Sequence, residues 1–112
     1  MYIHRDIQKQ VSVKIIIGKN IARKLKEKHN VAETEVAQCF WNNAGKYLQD
    51  NREEHKTSPP TLWFIAQTDA GRVLKVVFLR YSPSEYVIKT SYAPNVNEIR
   101  IYSIYGRRKK KK

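Results

Sequence analysis

The residues best able to move protons crowd into one short stretch of the chain. "DNREEHKTSPPTLWFIAQ", Asp50 to Gln67, places Arg52, Glu53, Glu54, His55 and Lys56 in succession, then two prolines and an apolar run. An imidazole titrates near neutral pH, so His55 is a natural proton donor or acceptor. Glu53 and Glu54 can orient it or act themselves, and the Arg52 guanidinium can hold an oxyanion through two parallel N–H bonds. Two readings are open. The stretch is a solvated loop that keeps the chain soluble, or it is an acid/base cluster held at the mouth of a sheet.

Further candidates follow. Lys75 and Lys89 interrupt "RVLKVVFLR" and "YVIKTSY", two otherwise apolar runs. A lysine inside a strand points to water from an uncovered sheet face, or it lines a concave site. Regular alternation puts Lys75 with Val73 and Val77, puts Lys89 with Val87 and Ser91, and sets Tyr92 on the side opposite Lys89. Tyr92 can stack on a base, donate a proton or pack as a half-buried aromatic. Arg72, in a turn, meets phosphate or stays exposed. His29 ends a helical segment, where a partly charged imidazole suits the helix dipole. Trp41 and Trp63 read as packing residues, although Trp41 on the solvent side of its helix would mark a partner surface. Cys39 reads as a small core residue. As the single cysteine it permits no internal disulfide and argues against a Cys/His zinc site. The pattern asks for no metal and no cofactor.

These residues must be positioned by one domain, because 112 residues hold one hydrophobic core. The domain spans 1–106, and 107–112 is a basic tail that reads as disordered. The net charge of +12 is uneven: residues 1–28 carry eight Lys/Arg against two acids, residues 29–106 carry eight of each sign, and "RRKKKK" adds six cations. Two basic ends around a neutral body attract polyanions, chiefly nucleic acid. No stretch approaches the roughly 18 apolar residues of a membrane span, and no signal-peptide core opens the chain. A cytoplasmic protein with no membrane partner is expected.

The elements follow from periodicity. "VSVKIII" is β-branched and alternating, hence a strand that Gly18 ends. "KNIARKLKEKHN" predicts a helix, with Asn20 able to cap it and Ile21 and Leu25 one turn apart. "AETEVAQCFWNN" predicts a second helix, with Val36, Cys39 and Phe40 as its apolar stripe. "TLWFIAQT", "RVLKVVFLR" and "YVIKTSY", separated by "DAG" and "YSPSE", predict a three-stranded antiparallel meander. "NEIRIYSIY" is rich in strand formers, yet Pro94, Asn95, Glu98 and Gly106 are helix punctuation. A helix is expected there, with Ile101, Ile104 and Tyr105 on one face. The order gives an α+β fold: N-terminal strand, two helices, meander and C-terminal helix. The helices cover one sheet face and leave the other free to hold a site.

"KHNV" (Lys28–Val31), "EVAQCF" (Glu35–Phe40) and "GRVLKVVF" (Gly71–Phe78) resemble segments of the BrnT-like toxins of bacterial toxin–antitoxin systems. The order of elements resembles that of the wider RelE/ParE toxin superfamily. The likeness covers roughly residues 11 to 105. "REEHKTSPPTLWFIAQT" and "IKTSYAPNVNEIRIY" further resemble a subset of small proteins often labelled ADP-ribosyl-(dinitrogen reductase) hydrolases. The resemblance implies a RelE-like fold, cleavage of mRNA with or without the ribosome, and inhibition by a cognate antitoxin. BrnT-like chains carry an arginine near the end of the relevant strand, where this sequence has Tyr92, so that phosphate-binding role does not transfer.

Metal-independent RNA cleavage needs a base for the 2′-hydroxyl, cations for the phosphorane and an acid for the 5′-oxygen. The catalytic candidates are His55, Glu54, Lys75, Lys89 and Tyr92. The RNA-binding candidates are Arg52, Arg72, Arg23, Lys24 and Lys28. An endoribonuclease toxin is the first reading. A non-catalytic toxin that binds nucleic acid or inhibits gyrase is the second. ADP-ribosyl hydrolysis is third, because the chain lacks the Asp-rich motifs and the many helices of metal-dependent enzymes with that activity.

Overall fold

The computed structural model describes residues 13–50 and 58–107. Their elements run β1 (Lys14–Ile16), α1 (Lys19–His29), α2 (Glu33–Asn42), β2 (Leu48–Gln49), β3 (Thr61–Gln67), β4 (Val73–Ser82), β5 (Glu85–Tyr92) and α3 (Val96–Tyr105). The fold is α+β, with one five-stranded sheet among the described residues, ordered β1-β5-β4-β3-β2. The expected meander is β3-β4-β5, paired antiparallel throughout. Two features lay beyond the sequence reading. β1 pairs parallel with β5, and the short β2 adds an edge beside β3.

One sheet face is apolar because alternate residues of the meander are. Phe64 pairs with Val76, Ala66 with Leu74, and Leu62 with Phe78. Leu25 of α1 and Val36 and Cys39 of α2 close over this face and share its buried core with Phe64, Leu74, Val76, Phe78 and Ile88. Fully burying side chains of this size contributes roughly 1.5–3 kcal/mol each, which is what fixes the register. At one end of the core, the rings of Phe40, Tyr47, Phe64, Phe78 and Tyr86 interlock at centroid distances of 4.8 to 6.3 Å. Burial, with the Glu35 carboxylate adding to it, pushes the Cys39 thiol up to about 11. A thiol that stays protonated is a packing group, as expected.

Helix boundaries follow local chemistry. α1 begins after Gly18 in extended backbone, with no side-chain cap, so Asn20 does not cap it as the sequence suggested. Asn20 instead lies one residue inside the helix. α1 ends at Asn30, whose φ of 53° is left-handed, a conformation Asn tolerates better than most residues. The next residue, Val31, is buried. The β3–β4 hairpin closes where Gly71 takes φ +90°, Gly71 N donates to Thr68 O, and Arg72 N donates to the Thr68 hydroxyl oxygen.

The C-terminal helix is present as expected, but its packing corrects one expectation. The second sheet face is not free, since α3 lies against it through Trp63 and Lys75. Ile104 and Tyr105 are exposed, and the residues that reach the sheet are Glu98 and Tyr102, one turn apart. The helix is held by an ion pair and a ring contact where its composition is apolar. Among the described residues, no helix is long and apolar enough to cross a membrane.

Candidate active site beneath the C-terminal helix

β4 and β5 bring two of the candidate catalytic residues side by side, because Lys75 and Tyr92 are direct cross-strand partners. Trp63, on β3, completes the floor: Lys75 Nζ lies 4.6 Å from the centre of its ring and 5.6 Å from that of Tyr92. Both distances fall within cation–π range.

α3 supplies the roof. Asn95 accepts from Glu98 N at 2.7 Å, and the Glu98 carboxylate accepts from Asn95 N at 3.0 Å, a reciprocal cap that starts the helix. The second carboxylate oxygen accepts from Lys75 Nζ at 2.7 Å and from the Tyr92 hydroxyl at 3.2 Å. Desolvation raises the Glu98 carboxyl, but the hydrogen bonds from Lys75, Asn95 and Tyr92 outweigh it and hold the group below the ordinary carboxylate range. Glu98 is therefore ionised at neutral pH and neutralises Lys75.

His29 joins from the opposite layer. It is the last residue of α1, half-buried, with its ring centre 5.5 Å from that of Tyr92. A connected row results: His29, Tyr92, Glu98, Lys75, Trp63. It contains an imidazole, a phenol, a carboxylate and an ammonium, the groups proton transfer and charge stabilisation use. Glu98 entered the sequence reading only as helix punctuation and Trp63 only as packing. A contact between residues 23 positions apart leaves no local pattern that would have found it.

The remaining candidates divide. Arg23, Lys24 and Lys28 are exposed along α1 with Lys19 and Lys26, and Glu27 is the one acid in that helix. Arg72 is neither free nor aimed at solvent. Its guanidinium donates to His29 O at 3.0 Å, to Asn30 O at 2.7 Å and to Glu35 at 3.0 Å. It thereby satisfies carbonyls left over at the end of α1 and ties them to the first turn of α2. Lys75 is only 8% exposed, which corrects the picture of an ammonium projecting from an open sheet.

Lys89 sits in a bulge: Thr90 pairs with Val77 and Ile88 with Phe78, leaving Lys89 without a cross-strand partner. The bulge is why Ile88 and Ser91, three residues apart, are both buried. It also breaks the alternation that placed Lys89 with Ser91. No hydrogen bond or ion pair among the described residues joins Lys89 to Lys75, Tyr92 or Glu98. Arg52, Glu53, Glu54 and His55 lie outside the described residues.

Trp41 is 77% exposed, so it is not a core residue but a surface aromatic at the end of α2. The sequence matches no protein-family model and no curated protein.

Proposed function

We propose that this protein is the toxin of a type II toxin–antitoxin pair and cleaves mRNA in the cytoplasm without a metal, its activity silenced by a cognate antitoxin. The observation that carries this reading is the contact between His29, at the end of the cation-rich α1, and Tyr92 of the Lys75–Glu98 pair. α1 gathers phosphates on its exposed side, and its last residue sits where proton-transfer groups meet. The convergence of the three resembling segments supports the same reading. Arg72 of "GRVLKVVF" binds the carbonyls of His29 and Asn30 in "KHNV" and the carboxylate of Glu35 in "EVAQCF". Segments far apart in sequence thus act as one structural unit.

In this proposal His29 takes the 2′-hydroxyl proton as that oxygen attacks the phosphorus. Lys75 stabilises the charge that develops on the phosphorane oxygens. Tyr92 gives its proton to the departing 5′-oxygen and recovers one from His29. The products are a 2′,3′-cyclic phosphate and a 5′-hydroxyl end. Glu98 positions Lys75 and Tyr92 and must yield Lys75 to the phosphate. His55, with Glu54, is a second candidate for either proton-transfer role. Arg52 and Lys89 remain candidate phosphate contacts.

The burial of Lys75 and its pairing with Glu98 favour a second reading, a toxin that binds nucleic acid without cutting it. Incubation of the purified protein with labelled single-stranded RNA in EDTA separates the two. The nuclease reading expects cleavage that falls at least a hundredfold in His29→Ala, the usual span for loss of an acid/base group. Growth arrest that survives His29→Ala but disappears when Arg23, Lys24 and Lys28 become glutamine would instead establish the binder.

A further inference from the structure

We propose that a trough at the C-terminal end of α3 is a binding site for single-stranded RNA, separate from the Lys75 cluster. This inference rests on the reading of the protein as RNA-directed and assigns that RNA a second contact. The trough has a volume of about 1320 Å³ and lies between α3, the end of α2 and the end of β3. Lys46 and Arg107 supply its cations, Tyr105 its exposed ring, and Asn42 and Gln67 its side-chain amides.

Hydrogen bonds tie its walls together. Lys46 N donates to Gly106 O at 2.7 Å, and the Tyr102 hydroxyl donates to Lys46 O at 2.7 Å, so the helix end is fastened to the loop before β2. Both bonds use the Lys46 backbone and leave its ammonium-bearing side chain to the surface. Asp69 is the one acid among the lining residues, and it is engaged by Asn42 Nδ2 at 2.9 Å.

Charge and composition choose the occupant. Lys46 and Arg107 outnumber the single acid of the lining, and the sequence beyond Arg107 is Arg108 and four lysines, a composition that favours a polyanion. Tyr105, 65% exposed, offers a face on which a base of any identity can stack. A docked amphipathic helix would need an apolar floor. Here Ile65 and Ala66 are interleaved with Gln67, Thr68, Asp69 and Ser103, so a helix docked on them would bury polar groups that a nucleotide can pair with. A duplex hides its base faces and gains nothing from Tyr105.

Fluorescence anisotropy with a ten-nucleotide, 2′-O-methylated oligouridine tests the proposal. The blocked 2′-oxygen prevents cleavage, so binding is read independently of any nuclease activity. The variant is Lys46→Glu/Tyr105→Ala, both side chains being exposed, with circular dichroism to confirm the fold. Expected are at least tenfold weaker binding by the variant, and at least tenfold weaker binding of a blunt RNA duplex by the unaltered protein. Variant affinity within twofold of the unaltered protein would overturn the proposal. So would a duplex that binds as tightly as the single strand, or polyglutamate of equal charge that competes as well as RNA. Tight binding that depends on Tyr105, with no cleavage of unmodified RNA, would leave this site standing and remove the nuclease reading.

Discussion

Lys75 and Glu98 form the contact on which the candidate site turns, and each needs the other. An ammonium that is nearly buried costs several kcal/mol to desolvate, and it is retained because a carboxylate at 2.7 Å and two aromatic faces surround it. Removing only the carboxylate strands the charge, so Glu98→Gln is expected to destabilise the fold by about 2 kcal/mol near neutral pH. The cost depends on pH in a defined direction. The folded Glu98 carboxyl titrates below its ordinary value of 4.5, so as acid is added the unfolded chain binds the proton first. Glu98 therefore contributes its full stability above about pH 4.5, and that contribution disappears as the pH falls through the depressed folded value. Urea midpoints measured from pH 7 to pH 2 should show this loss in the parent and its absence in Glu98→Gln. Parallel curves for the two proteins would mean that Lys75 does not hold the Glu98 charge. The sequence marked Lys75 and Tyr92 because a lysine in an apolar run and an aromatic at a strand end are both conspicuous. It did not reveal their partner, since a glutamate at the third position of a helix looks the same whether it caps the helix or reaches across a sheet.

The C-terminal helix shows what periodicity conveys and what it hides. Helix punctuation at Asn95, Glu98 and Gly106 identified it correctly against a run of strand formers. Its orientation was not legible, because apolar residues occur on all its sides and no residue of α3 is buried. Specific contacts decide the matter: Glu98 in the first turn bonds Lys75, and Tyr102 one turn later packs on Trp63, which together pin α3 to the sheet face that the sequence reading left bare. The meander was legible because period-two alternation survives in β3 and in the buried stretch of β4. The bulge at Lys89 was not, since its cause is the register against β4. A helix anchored at two points in its first two turns depends strongly on its start. Asn95→Ala removes the acceptor for Glu98 N and is expected to cost about 1 kcal/mol, confined to α3. Amide hydrogen exchange should then quicken roughly fivefold in 96–105 and stay unchanged in β3 and β4. Uniform acceleration across the sheet would show that α3 does not move as a separate unit.

The whole molecule combines a rigid apolar core with cations gathered on its periphery. α1 displays five exposed cations on one side of the sheet, and Lys46 and Arg107 line the trough on the side of α3. The candidate chemistry lies between them, at the layer where His29 meets Tyr92. In the proposed reading an RNA strand held by α1 approaches the His29–Tyr92 contact, while the trough adjoins the other end of the cluster through Tyr102, whose ring centre lies 5.8 Å from that of Trp63. The direct test of the central claim separates the charge pair from stability. The double variant Lys75→Met/Glu98→Leu removes both charges together, a replacement that buried ion pairs tolerate with little loss of fold. Single-turnover cleavage of single-stranded RNA by this variant, with its urea midpoint within the normal range, is expected to fall at least a hundredfold below the parent. Cleavage at the parental rate by the folded double variant would contradict the assignment of catalysis to the Lys75 cluster.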